Sequence, residues 1–324
     1  MKKLVLCLSV VAVFTGHCYS QIDPQFSQYM FHTSSFNPAA VGEGDMIQVV
    51  YQGRSQWTNF ASKGFSLKSP FNTDNVSING PIKFKKDALG VGVHFLGDNF
   101  GLFKNTNFQL QLAYKKQLEV GVLSFGVDLG NANIIFSGDS LSKYKGDDDY
   151  HKDADPIVPL VSVSGNSFDM NAGVFYSHPV FYAGLSCSHI NSPTITGASN
   201  FYFRMARTLY LTGGFNYHIP DTKIILKPST LIKTFDFVTY QVDIGARAEL
   251  DNKFWGGMAY RVDDAVIFLF GLNLASGMTA GFSYDLITSK IRTASIGSLE
   301  VFIAYNFDFV LKTRTSKYKS VRLL

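Results

Sequence analysis

Cysteine is nearly missing from this chain of 324 residues: of three, Cys7 and Cys18 fall in the first twenty positions and Cys187 stands alone beyond them. A single thiol makes no internal disulfide and supplies no metal-ligating pair, so neither a disulfide framework nor a cysteine metal centre is expected. Charge is scarce too, at 17% against about a quarter in soluble domains. Past the leader there is no run of about eighteen apolar residues, which excludes a helical membrane span. Catalytic signals are equally thin. Histidines at 32, 94, 151, 178, 189 and 218 are scattered with no His-x-x-x-His pair. The glycines sit within apolar-periodic stretches rather than in a phosphate-binding loop. No nucleophile motif is present, and the chain is expected to be neither an enzyme nor a cofactor protein.

What is abundant is aromatic side chains, 29 Phe and 16 Tyr, and strict alternation. Across 107–114, Phe108, Leu110, Leu112 and Tyr114 fall on one face, and Asn107, Gln109 and Gln111 on the other. Across 241–250, Val242, Ile244, Ala246, Ala248 and Leu250 oppose Gln241, Asp243, Arg247 and Glu249. A period of two means strand, and it recurs to the end of the chain without a long helix. An antiparallel sheet with one apolar and one wet face suits either a soluble sandwich or a membrane barrel. Low charge with high aromatic content selects the barrel, whose lipid-facing and lumen-facing residues alternate between two aromatic girdles.

Met1 to Ser20 has a basic start, Lys2 and Lys3, then an apolar run and small or polar residues, the form of a secretory signal peptide. Cys18 offers a lipoprotein alternative, but bulky His17 precedes it, and cleavage after Ser20 is expected. Fourteen strands are expected, near 46–57, 73–82, 88–97, 105–117, 121–136, 168–177, 180–190, 206–218, 223–233, 238–250, 253–261, 265–273, 276–285 and 297–309. The fold class is thus all-β, a transmembrane antiparallel up-and-down barrel. An even count closes such a barrel with both ends on one side. Tight connections at 178–179, 220–221, 251–252 and 275–276 alternate with longer ones at 58–72, 137–167, 191–205 and 287–296. Short periplasmic turns against long outer loops put both termini in the periplasm. Two outer connections, near Asp236 and at 262–264, are short and leave one side of the rim low.

The expected organisation is a signal peptide 1–20, an N-terminal segment 21–45, a barrel 46–309 and a tail 310–324. Asp128, Asp243, Arg247, Glu249 and Arg261 fall on inward positions, where they need partners or water, so a hydrated or plugged lumen is implied. Glycines inside strands allow bends or close approach of a plug. In the N-terminal segment Phe26, Tyr29, Met30, Phe31 and Phe36 are too many apolar groups for a free tail. They are expected to form one helical stripe or to tuck into the barrel mouth, with Asn37-Pro38 turning the chain towards the first strand. The segment reads as a plug or brace at the periplasmic end, or as a gate that a partner displaces.

The tail carries Lys312, Arg314, Lys317, Lys319 and Arg322 with no acid. Removing these five and Lys2 and Lys3 from the formal +4 leaves −3 for the N-terminal segment and barrel. Tyr318, Val321, Leu323 and Leu324 interleave the cations, which suits docking on an acidic protein surface rather than a purely solvated arm. Nucleic acid is not an expected partner in that compartment. The acidic stretch 146–156, GDDDYHKDADP, has hard oxygens for calcium but lacks the alternate spacing of a calcium loop, so a solvated loop is expected.

One resemblance covers the mature chain in order. Asp23-Pro24-Gln25-Phe26-Ser27-Gln28-Tyr29, then Asn37-Pro38-Ala39 and Gly42, resembles the start of PorP/SprF proteins, outer-membrane components of the type IX secretion system of Bacteroidetes. NVSINGPI at 75–82, FYAGLS at 181–186, LKPSTL at 226–231, FWGGMAYRVDD at 254–264 and GFSY at 281–284 continue it. Ala40-Val41 departs from it, since an aromatic often precedes the glycine in that family. The resemblance implies a barrel without enzymatic activity, seated in outer-membrane lipid. Its implied partners are a periplasmic ring lipoprotein and peptidoglycan-binding proteins, or a secreted adhesin of gliding motility. A passive channel for small solutes is the competing class; such a channel has no need of the tail.

Overall fold

Polar side chains are hidden and apolar ones displayed along the strands, the reverse of a soluble sheet. Leu110 is 57% exposed, whereas its neighbours Gln109 and Gln111 are 4% and 3% exposed. Outside lies an apolar band for lipid, and inside lies a polar wall. The structure is a computed structural model and describes residues 23–60, 69–84, 87–138, 161–197 and 202–308. The expected signal peptide, the acidic stretch 146–156 and the basic tail 310–324 lie outside these residues.

Fourteen antiparallel strands form a closed barrel: β1 (Ile47–Thr58), β2 (Phe71–Phe84), β3 (Asp87–Phe100), β4 (Phe103–Gln117), β5 (Val122–Ser137), β6 (Ser162–Ser177), β7 (Phe181–Ser188), β8 (Thr208–Phe215), β9 (Ile224–Phe235), β10 (Thr239–Leu250), β11 (Phe254–Arg261), β12 (Ala265–Asn273), β13 (Met278–Ile287) and β14 (Gly297–Phe307). Closure is made by β1 on β14, from Ile47 opposite Phe307 to Thr58 opposite Gly297. No edge is left unpaired, as a strand structure in lipid requires. Every strand expected from alternation is present.

Three details differ. β6 begins at Ser162, six residues early, because Ser and Gly at 162–167 carry no apolar alternation yet still pair with β5. β3 and β4 meet in a two-residue turn at Gly101-Leu102, where Gly101 takes φ 68. That makes a third short connection at the loop end, beside 236–238 and 262–264. The loop after β7 is not open chain either: Thr194–Thr196 pairs with Tyr202–Arg204. Ile195 and Met205 then pack on Ala132 and Ile134 of the inner wall, so this loop folds into the mouth.

Candidate functional site: the lumen and the segment within it

Residues 23–42 lie inside the barrel, and exposed residues 43–46 lead from it to β1. Asp23 is at the loop end, bound by His189 Nε2 at 2.8 Å and by the Tyr210 hydroxyl, which donates at 2.9 Å. Met46 is at the other end, one residue before β1. The segment therefore runs the length of the lumen, farther than a brace at one mouth. Nor is it one helix with a single stripe: it makes three one-turn 3₁₀ helices, Tyr29–Phe31, Thr33–Ser35 and Pro38–Ala40. Wall surrounds it on all sides, and its aromatics point different ways. Phe31 meets Trp255 at 4.5 Å and Phe302 at 5.0 Å between ring centroids. Phe36 meets Tyr210 at 5.3 Å. Tyr29 is buried with its hydroxyl 3.0 Å from Ser229 Oγ, and Phe26 lines a cavity of about 60 Å³ beside the segment.

Near the loop end the contacts are ionic. Arg54 donates to Asp285 at 2.7 Å and to Glu300 at 3.3 Å. Arg261 donates to Asp285 at 3.0 Å and to Asp243 at 3.1 Å. Ser27 sits at the centre: its hydroxyl donates to Asp285 at 2.7 Å and accepts from Arg54 at 2.9 Å and Arg261 at 3.2 Å. The Ser27 and Gln28 backbone N–H groups donate to the two Glu300 carboxylate oxygens at 2.7 and 2.8 Å. Gln25 Nε2 donates to Asp243 at 3.1 Å. These side chains are almost wholly out of solvent, so each charge depends on the others and on the segment for compensation.

Farther down, the contacts change to steric fit on the opposite wall. Asn37 caps the last 3₁₀ turn through Ala39 N–H at 3.0 Å, and its amide donates to the Val174 carbonyl at 3.1 Å. It rests where Gly173 and Gly184 have no side chain, and Pro38 and Ala39 rest against Gly126. Gly42, at φ 64, crosses Gly80 and Gly90. A Cβ at any of these wall glycines except Gly80 would strike the segment, so here glycine serves close backbone approach.

Of the lumen residues expected from sequence, Asp243 and Arg261 join the Ser27 network. Arg247 lies over the Phe31 ring at 4.2 Å, and Glu249 accepts from Lys227 at 2.6 Å. Asp128 is on the other wall, accepting from Gln111 at 3.3 Å. Sequence reasoning missed Arg54, Asp285 and Glu300, although each is a charge at an inward position of a period-two strand. It also missed Gln25, Ser27, Gln28 and His32, which bear no periodic signal. Asp23 is compensated by His189, whose Nδ1 lies 2.9 Å from Asp169 on the wall. His32 Nε2 lies 2.7 Å from Ser77 Oγ, with the His94 ring 6.0 Å away.

Residues 19–305 match the family described as type IX secretion system membrane protein PorP/SprF. No curated protein matches the sequence. Among solved structures, the toluene transporter TbuX of Ralstonia pickettii is similar at 13% identity and TM-score 0.51, covering 85% of this chain and 92% of its own. The translocator domain of autotransporter NalP from Neisseria meningitidis gives 13% identity and TM-score 0.44, covering 82% and 90%. At such identity the likeness to TbuX speaks for the outer-membrane barrel fold alone.

Proposed function

From its membership of the PorP/SprF family of type IX secretion system membrane proteins, to which this chain belongs, we propose that the protein is a non-enzymatic outer-membrane scaffold of that machine. It anchors periplasmic partners, a ring lipoprotein and peptidoglycan-binding proteins, and so supports protein secretion. The observation that carries this reading is the occupied lumen: residues 23–42 pass through the bore that a passive porin would leave open. With short turns facing the periplasm, the chain leaves β14 at Asp308 on the periplasmic side, where the basic tail begins. Lys312, Arg314, Lys317, Tyr318, Lys319 and Arg322 are the proposed docking side chains for an acidic partner. In the same orientation the N-terminal segment begins at Asp23 near the outer mouth and reaches the periplasmic side at Met46.

A crosslinking pull-down from outer membranes tests this, comparing the intact chain with one truncated after 309. Ring components captured by the intact chain and lost on truncation support tail docking. Their capture by both moves the docking site to the N-terminal segment. Recovery of a large secreted adhesin alone makes the protein a dedicated gliding partner instead.

A further inference from the structure

The two halves of the lumen segment press on different walls. Asn37 to Gly42 sits on the glycines of β2, β3, β5, β6 and β7. Gln25 to Phe31 faces Arg54, Asp243, Arg261, Asp285 and Glu300 on β1, β10, β11, β13 and β14, and its Phe31 covers Trp255 and Phe302 farther down the same side. The bonds differ in kind as well. Hydrogen bonds to carboxylates and guanidinium groups are strong while water is excluded, but water entering at the loop end replaces them partner for partner, so the wall charges left behind are solvated rather than orphaned. A backbone lodged where wall glycines lack a Cβ gains only from contact and loses it all on leaving. The lower half is also tethered directly to β1.

We propose that residues 23–31 are a removable latch and 37–42 a fixed anchor, and that withdrawal of the latch opens a polar passage along the β10–β14 side. Arg54, Arg261 and Arg247 line that passage together with Asp243, Asp285 and Glu300. Mixed charge at this density suits small hydrated ions of either sign. Space beside the latch exists already on its other flank: a cavity of about 60 Å³ is lined by Asn75, His94, Asn107 and Lys233 of β2, β3, β4 and β9 together with apolar Phe26 and Leu231. Amide atoms of Asn75 and Asn107 there have no protein partner, and such a space holds water. The sealed barrel is therefore a closed state of a passage, which goes beyond the scaffold role and does not depend on any partner.

Planar-bilayer conductance in potassium chloride tests this on the full chain. The intact protein is expected to be silent. A variant with residues 25–31 replaced by Gly and Ser, every wall residue unchanged, is expected to conduct stepwise. Heat-modifiable migration on a gel verifies that its barrel has formed. Steady conductance of the intact protein at the variant's level overturns the proposal, as does a folded latch variant that stays silent.

Discussion

Arg54 on the first strand and Asp285 on the thirteenth are 2.7 Å apart although 231 residues separate them. Both side chains are buried, at 2% and 1% exposure. Asp285 also takes Arg261 and the Ser27 hydroxyl, so this one carboxylate ties wall to wall and wall to segment. Removing one partner of such a pair leaves an uncompensated buried charge and costs about 3–5 kcal/mol. Arg54→Ala should therefore lower the barrel's denaturant midpoint in detergent. Arg54→Ala combined with Glu300→Gln should recover part of the loss, since one excess negative charge is gone. Equal midpoints for Arg54→Ala and the native chain would refute the assignment.

The glycine seat predicts a different failure. Gly126→Val places a branched side chain against Ala39 and Pro38, and overpacking costs about 1–3 kcal/mol where nothing can yield. The strand is free to remain paired, so the barrel should survive while the segment is expelled. Limited proteolysis near residues 37–42 should become fast in Gly126→Val. Gly256→Val on the same barrel faces lipid, with its nearest neighbour 3.6 Å away, and should leave the cleavage rate unchanged.

Much of this fold is legible in the sequence because a barrel repeats one simple rule. Phe108 to Tyr114 alternate, and so do Val242 to Leu250, and alternation alone separates lipid face from lumen face. Asp243, Arg247, Glu249 and Arg261 are readable as inward charges for the same reason. The partner of each charge is not readable. Ser27 meets Asp285 across 258 residues and Glu300 across 273, and closure of the barrel, not any local pattern, sets those meetings. Asn37-Pro38 signals a turn, yet which glycines it rests on depends on how fourteen strands stack. The folded-in loop was hidden because the two strands among the described residues of 191–205 have three residues each, too short for alternation to register.

Trp255 gives an optical reading of the segment. It is 3% exposed, and the Phe31 ring lies on it. The other tryptophan, Trp57, lies at the loop end against Phe60 and Phe71. In a Trp57→Phe background, Phe31→Ala should shift Trp255 emission to longer wavelength by admitting water. Truncating a packed phenylalanine costs up to about 3–5 kcal/mol when fully buried, and Phe31 is only partly buried, so a smaller loss of segment docking is expected. Unchanged emission would mean that Phe31 does not seal this side of the lumen.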